Sequence, residues 1–509
     1  MVTMEFKFDK FTKKEIAGTY TEPQKTIPII ADVDVLVIGG SPSGVAAAIS
    51  AARCGADVML VERFGFLGGQ SVFTMVTQWE KRAFINNLGA VSTRGIAKEM
   101  LDRIVALGNS DGLWETPPGC EEMRDGEEWL DVEDIKYVLM EMCKEAGVKT
   151  LFHTLAVNVI TIPAQENERL SLPRVRGVIF ENKTGRFAYR AETIVDATAD
   201  VDLVWRAIGE KGVKMVPPMQ RINAGFYTYY GGIDSSKFVE EIIKKDNIIS
   251  YPTKKNVEKI KKHLKEEKLI KLNNFDHLYE QAEEMGYFSG LDEIFEEEGI
   301  MILLKIGMKW VGKDRWCVGL SSLQNVNLLD TWELTKYERI RTKLEHVGLK
   351  ILRMLPGWKN SYIDRTSLHM GLRQTRTLLA NYMLTSQDIF KPDHDREDVI
   401  GRSNAHDPGK NKLKAAYPIP YGIMIPKNLD GIIVCTRAVG CKEKITVGAH
   451  RGITPTIVVG QAAGISAALS SKEKISPHQL AVSKVQKILR EADVVLEKEV
   501  IDLGIKPIN

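Results

Sequence analysis

VDVLVIGGSPSGVAAAISAARCGADVMLVE, residues 33–62, is the stretch whose reading decides the fold. Val33–Ile38 is an aliphatic, β-branched run of the kind found in strands buried on both faces of a parallel sheet. A glycine-rich turn follows, Gly39-Gly40-Ser41-Pro42-Ser43-Gly44, and then an alanine-rich helix from Val45 to Cys54 that stops at Gly55. That helix carries Gly44, Ala48 and Ala52 on one ridge, with Ala47 and Ala51 beside it, so it can lie very close to whatever packs beneath. Asp57–Glu62 then reads as a second strand ending on an acid. The stretch is one strand–helix–strand unit of a parallel sheet.

A glycine turn between strand and helix aims backbone N–H groups and the positive helix end at a pyrophosphate. Gly39 and Gly44 fill the first and third places of a G-x-G-x-x-G pattern, with Ser41 at the second. Ser41 before Pro42 is also a good N-cap followed by a good first helical residue, so its hydroxyl either caps the helix or touches a phosphate. Glu62 stands 23 residues after Gly39, where a strand-end carboxylate accepts hydrogen bonds from the ribose of an adenosine.

The rest of the chain fits around this unit. A helix is expected over Val132–Glu145, strands over Thr150–Val159, Arg174–Glu181 and Arg186–Arg190, and a buried strand over Glu192–Ala197. From about residue 217 to 360 the character changes: a strand over Ile222–Tyr230, a charged helical stretch Lys254–Lys271, an acidic patch Glu293–Glu298 and a helix Thr335–Leu355. After Thr377 the first style returns, with a strand over Asp430–Cys435 and a small-residue helix opening at Thr454-Pro455.

The composition, 44% apolar and 27% charged, is that of a globular protein, and Met1–Lys25 lacks the apolar segment of a secretory signal. No apolar run reaches the roughly 18 residues that cross a bilayer. A net charge of +2 gives no global field for nucleic acid. None of the six cysteines, Cys54, Cys120, Cys143, Cys317, Cys435 and Cys441, forms a Cys-x-x-Cys pair, so no metal site is expected, and a reducing cytoplasm is. Ser/His/Asp, His-x-x-x-His and Gly-Lys-Ser/Thr signatures are missing, which removes support for hydrolase and nucleoside-triphosphatase readings.

The glycine turn, the pair Glu62-Arg63 and the following Leu67-Gly68-Gly69-Gln70 resemble the FAD-binding start of flavoproteins related to glutathione reductase and fumarate reductase. Val195-Asp196-Ala197-Thr198-Ala199-Asp200 resembles their second fingerprint, with Ala199 where those proteins have glycine. Met370–Arg376, Tyr417–Tyr421, Asp430–Arg437, Arg451 and Gly460–Gly464 are similar to segments of the FAD-dependent oxidoreductase family, and the resemblance covers about residues 30–470. It implies an α/β fold: a Rossmann-like FAD-binding domain with a parallel sheet and β-meander, plus an inserted α+β substrate domain. The boundaries expected are an extension over 1–29, FAD-binding parts over 30–215 and 361–480, an insertion over 216–360 and a tail over 481–509.

The cofactor implied is FAD, held by Gly39, Gly40, Ser41, Pro42, Ser43, Gly44, Glu62, Arg63, Gly68, Gly69, Gln70, Ser71, Ala197, Thr198, Asp200, Arg437, Thr454 and Pro455. His369 and His450 stand beside the family motifs and are the candidate bases. Arg373 and Arg376 share one side if Gly371–Met383 is helical, and either hold an anionic substrate group or tie the insertion to the core. Arg451, three residues before Thr454, is expected to face the flavin edge that gains charge on reduction. The function expected is hydride exchange between flavin N5 and a small organic substrate, with a separate electron donor or acceptor and an open oligomeric state. Two alternatives are RNA modification, which needs a basic groove that only Lys254–Lys271 offers, and a non-catalytic electron-transfer subunit, whose usual cysteine clusters are missing.

Overall fold

The computed structural model describes residues 18–77, 79, 93–110, 130–217, 224–244, 265, 270–272, 275, 277–287, 301–324, 329–390, 396–404 and 416–497. Cys120, the acidic patch Glu293–Glu298 and nearly all of Lys254–Lys271 lie outside these residues.

The opening unit forms as read: β1 (Ile29–Ile38), α1 (Pro42–Arg53) and β2 (Val58–Val61), with Val35 opposite Val58 and Ile38 opposite Val61 in parallel register. Short α2 (Gly69–Phe73) and α3 (Gly95–Ala106) follow, and then α4 (Val132–Glu145), whose N-cap Asp131 accepts the Glu133 N–H at 2.8 Å. The single strand expected over Thr150–Val159 is two, β3 (Lys149–Leu151) and β4 (Leu155–Ile162), because His153 between them takes φ 52°. β5 (Arg174–Asn182) turns into β6 (Gly185–Asp196), one long strand where two were expected. The first half of β6 pairs antiparallel with β5, while its second half pairs parallel with β1, so the meander grows out of the parallel sheet along one strand.

After α5 (Asp202–Ile208) and β7 (Val213–Met215) the chain builds a second sheet from β8 (Ala224–Gly225), β9 (Thr228–Gly231), β10 (Ile270–Leu272), β11 (Met301–Trp310), β12 (Trp316–Gln324) and β13 (Tyr362–Thr366). Helices α6 (Ser235–Lys244), α7 (His277–Glu284) and α8 (Thr331–Leu352) accompany it. This region has its own core, with Phe238 edge-on to Trp316 and Trp358, and β13 carries the sheet beyond the boundary expected at residue 360. The chain returns through β14 (Arg376–Leu378), which pairs antiparallel with β7, so exit and entry run side by side. Gly371–Met383 is therefore not helical. Gly371 exchanges backbone hydrogen bonds with Gly225 at 2.8 and 3.3 Å, and that pairing with β8 displaces the helix the spacing suggested.

The remaining elements are α9 (Ser386–Phe390), β15 (Val399–Ser403), β16 (Tyr417–Pro420), β17 (Ile432–Val434), α10 (Lys444–His450), α11 (Ile453–Glu473) and α12 (Val482–Glu491). β17 joins β6 in parallel, giving the order β3-β2-β1-β6-β17 in the parallel part. The expected tail from 481 is instead a packed element: Val485 and Leu489 of α12 are fully buried. α11 is long and apolar enough to cross a membrane, yet it lies inside the fold against α1. The small ridges of these two helices meet each other: a Cβ on Gly460 would stand 2.2 Å from the Ser43 carbonyl oxygen, and one on Gly464 2.0 Å from that of Ala47.

Candidate functional site

Every parallel strand ends at the same edge, so Gly39, Glu62, Ala197 and Cys435 follow β1, β2, β6 and β17 side by side. Ligands of open α/β sheets bind outside that carboxyl edge, where strand order reverses, here between β1 and its neighbours β2 and β6. A cavity opens there, lined among others by Gly39, Ser41, Glu62, Gln70, Arg437 and Arg451.

The turn shows why two of its places demand glycine and the third does not. Gly39 has φ +107°, and a Cβ on it would stand 2.4 Å from the Ala197 carbonyl oxygen. A Cβ on Gly44 would stand 2.0 Å from the Gly39 oxygen. Ser41 sits at φ −65°, ψ 164°, a conformation open to any L-residue, and its hydroxyl accepts the Gly44 N–H at 3.2 Å as the N-cap of α1. Ser43 Oγ meets Ser41 Oγ at 2.9 Å, and Pro42 is the first helical residue. Serine at the second place thus leaves the turn intact and reinforces the helix end at the cavity, a place suited to a pyrophosphate.

Glu62 is 8% exposed, and both of its oxygens are anchored. Oε2 accepts the Gly40 N–H at 2.6 Å and Oε1 accepts the Phe64 N–H at 2.9 Å. The carboxylate is thereby fixed against the turn, with its remaining lone pairs available to ribose hydroxyls. Arg63 is exposed and stacks on the Phe64 ring, 4.8 Å from its centroid. Gly68 at φ 109° donates to the Gly40 oxygen at 2.8 Å, and Gly69 packs on Ser41, so α2 starts against the turn and brings Gln70, Ser71 and Phe73 to the cavity wall. The Gln70 side-chain amide donates to the Leu372 carbonyl and ties this wall to the returning chain.

The second fingerprint is a loop held by a buried acid. Asp196 has no exposure; Oδ1 accepts from the Thr198 N–H and hydroxyl at 3.0 and 2.6 Å, and Oδ2 from the Leu203 and Val204 N–H groups at 3.1 and 3.4 Å. Burial pushes its carboxyl up to about 6. Ala197 and Thr198 line the cavity. Ala199, in the place of a glycine, takes φ 73°, and Val201 takes φ 52°. Asp200 turns to Arg437, 2.7 Å away, and accepts from the Thr375 hydroxyl, clamping this loop to the C-terminal segment. Arg376 donates to Asp202 at 2.6 Å and stacks on Trp205, which makes it a tie between the return segment and the core.

α11 starts one residue earlier than Thr454-Pro455, with Gly452 as N-cap and Ile453 first. Arg451, Ile453 and Thr456 reach the cavity; Thr454 and Pro455 are buried in the same turn and are not among its lining residues. The first N–H groups of a helix have no partner within it, so this turn presents donors and positive dipole to that wall.

The two histidines are placed differently. His450 is fully buried, bonds the Tyr417 hydroxyl through Nδ1 at 2.9 Å, and is held down to about 4 by burial, away from the cavity lining. His369 is not among the cavity's lining residues either, but it stacks on Phe73, ring centroids 4.0 Å apart, and stands 6.1 Å from Phe64, both of which line it. Its Nδ1 faces the Met370 carbonyl at 2.7 Å, so that nitrogen carries the proton, while Nε2 is buried with no hydrogen-bond partner among the described residues. Burial lowers its pKa below the usual histidine value. Arg373 is half-buried and is not among the cavity's lining residues.

Sequence reading missed the aromatic wall of Phe64 and Phe73, the lining by Thr154–Ala156, and the anchoring role of Asp196. An acid inside the apolar run Ile194–Ala197 was the one visible signal for the last. The five described cysteines are free thiols; burial raises Cys143 and Cys441 to about 12 and leaves them inert.

The residues fit FAD: an anchored strand-end carboxylate, a glycine-lined turn at a helix N-terminus, and a buried Ser71 hydroxyl in the wall with no protein partner among the described residues. Compared with known proteins, the chain is similar over 52 residues to a urocanate reductase of Eggerthella lenta, 40% identical, spanning 10% of this chain and 9% of that protein. A geranylgeranyl bacteriochlorophyll reductase-like protein of Thermoplasma acidophilum aligns over 91% of this chain and 84% of its own at 13% identity, TM-score 0.44. The flavin-dependent halogenase CmlS aligns over 91% and 62% at 11% identity, TM-score 0.42. Residues 34–489 match the family described as FAD dependent oxidoreductase, and the chain belongs to that family.

Proposed function

We propose that this flavoenzyme exchanges a hydride between flavin N5 and a small organic substrate bound against the wall of Phe64 and Phe73, with His369 stacked behind Phe73. When bound, FAD supplies the two-electron chemistry; the protein supplies orientation, charge and a proton site. Glu62 fixes the adenosine end, the turn Gly39–Gly44 takes the pyrophosphate, and Arg451 with the first turn of α11 offers positive charge at the other wall. The observation that carries the reading is His369: an imidazole stacked on a cavity residue, its pKa lowered by burial, with one nitrogen tied to the backbone and the other without a hydrogen-bond partner among the described residues. Such a nitrogen can accept or return the substrate proton that accompanies hydride transfer.

The test is an anaerobic screen for compounds that bleach the flavin band, followed by deuteration at the transferred position. The reading expects bleaching without oxygen, a primary isotope effect on its rate, and a changed pH profile in His369→Gln. Product that forms only with oxygen would contradict hydride exchange, and an unchanged pH profile would place the proton elsewhere.

A further inference from the structure

A second concavity lies on the inserted region and shares no described lining residue with the cavity at the strand edge. It is a groove of about 640 Å³, within the roughly 300–1,000 Å³ of small-molecule sites. One wall is α8, the other Tyr287 just beyond α7. Arg339, Lys343, His346 and Lys350 follow one another at steps of four, three and four, so they share one face of α8, and all four are exposed. Lys350 Nζ stands over the Tyr287 ring, 5.8 Å from its centroid. None of the groove's described lining residues is acidic. A solvated helix face ordinarily mixes its charges. On α3 and α4, Lys98 pairs with Asp102, Arg103 with Glu99 and Lys136 with Glu133, each three or four residues away. α8 does this on its buried side, where Arg341 meets Glu338 at 2.8 Å and Glu345 at 2.6 Å. On the groove side no acid stands three or four positions from Arg339, His346 or Lys350; Arg339 has Lys343 four ahead, and His346 has Lys350. Like charges at that spacing destabilise a helix, and a bound anion offsets the repulsion.

We propose that this groove is a second ligand site, which takes a small molecule of the nucleotide kind carrying several phosphate groups. The basic stripe runs over about 16 Å of helix axis, from Arg339 to Lys350 at about 1.5 Å per residue. A single phosphate meets only part of it. A nucleoside triphosphate sets its phosphate chain among the long lysine and arginine side chains and its base against the Tyr287 ring. The Arg339 guanidinium offers the paired donors that suit phosphate oxygens, and the lysines act as point charges.

The experiment uses the full-length chain in excess FAD, so that nucleotides do not enter the cofactor cavity. ATP, inorganic phosphate and a single-stranded RNA oligonucleotide are titrated calorimetrically into wild type, Arg339→Gln/Lys350→Gln and Lys144→Gln/Lys149→Gln. Lys144 and Lys149 are exposed cations outside the groove, so the second variant reports the loss of two charges alone. The proposal expects ATP to bind wild type at one site per chain, and inorganic phosphate to bind roughly tenfold more weakly or worse. Arg339→Gln/Lys350→Gln should weaken ATP by roughly tenfold or more at an unchanged melting temperature, while Lys144→Gln/Lys149→Gln keeps wild-type affinity. Absence of ATP binding to wild type, unchanged affinity in the groove variant, or an equal loss in the control variant would overturn it. Phosphate binding as tightly as ATP would show a diffuse anion surface, and RNA binding more tightly than ATP a nucleic-acid surface; either result overturns the proposal.

Discussion

Glu62 Oε2 accepts the backbone N–H of Gly40 at 2.6 Å, so the carboxylate that ends the second strand also braces the turn that follows the first. One side chain thereby braces the turn from the neighbouring strand, and its other oxygen is held by the Phe64 N–H at 2.9 Å; in the function proposed above it also meets the adenosine end of FAD.

Glu62→Gln places an NH2 group opposite one of these two backbone donors and removes the negative charge from the ribose contact. FAD affinity should fall by roughly 1.5–3 kcal/mol, on the scale of charge-assisted hydrogen bonds. Fluorescence titration reads it directly; retention equal to wild type through dilution would show that Glu62 does not meet the ribose.

Ala199 takes φ 73°, where an L side chain costs roughly 1–2 kcal/mol. Ala199→Gly relieves that strain while adding freedom to the unfolded chain, worth about 0.4–1 kcal/mol in the opposite sense. The net expectation is a gain between zero and about 1.6 kcal/mol, visible as a higher urea midpoint at unchanged slope. A lower midpoint would mean that the Ala199 methyl contributes packing that exceeds the strain.

Much of this was legible beforehand, because the strand run Val33–Ile38, Gly39 and Gly44 and the terminal Glu62 are local signals in one short segment. Ser41 looked like a departure and is none: its φ of −65° needs no glycine. The small ridges of α1 and α11 were visible as ridges, but that Gly464 presses on Ala47 rather than on a sheet is a contact across more than 400 residues, with no local trace. The same holds for Gly371, whose pairing with Gly225 replaced the helix that Arg373 and Arg376 suggested. His369 gained its aromatic wall from Phe64 and Phe73, three hundred residues upstream.

Stability should weaken on mild acidification through His450. Its folded pKa is lowered to about 4 by burial, against an unfolded value near 6.5. The contribution is therefore fully present above about pH 6.5 and lost as pH falls toward about 4, by at most about 3 kcal/mol. Asp196 acts in the opposite sense: with its folded pKa raised to about 6, protonation between about pH 6 and 4 favours the folded state. Both acids and bases remain in the comparison except one, so His450→Gln should lose less stability than wild type between pH 7 and pH 5. Equal losses in urea melts at the two pH values would show that His450 is not the neutral buried group described.

Arg451 lines the cavity beside the first turn of α11. Its charge favours the reduced, more negative cofactor, so Arg451→Ala should lower the midpoint potential of bound FAD. A loss of about 1.4 kcal/mol corresponds to roughly 30 mV for a two-electron couple. An unchanged potential, in a variant that binds FAD fully, would place Arg451 away from the flavin.

Cofactor stoichiometry of the purified chain tests the FAD assignment on which every cavity role above depends. Titrated with FAD and freed of excess, it should retain one FAD per chain, with absorbance bands at ~370 and ~450 nm. A folded protein that stays colourless and takes up no FAD at micromolar concentrations would contradict it.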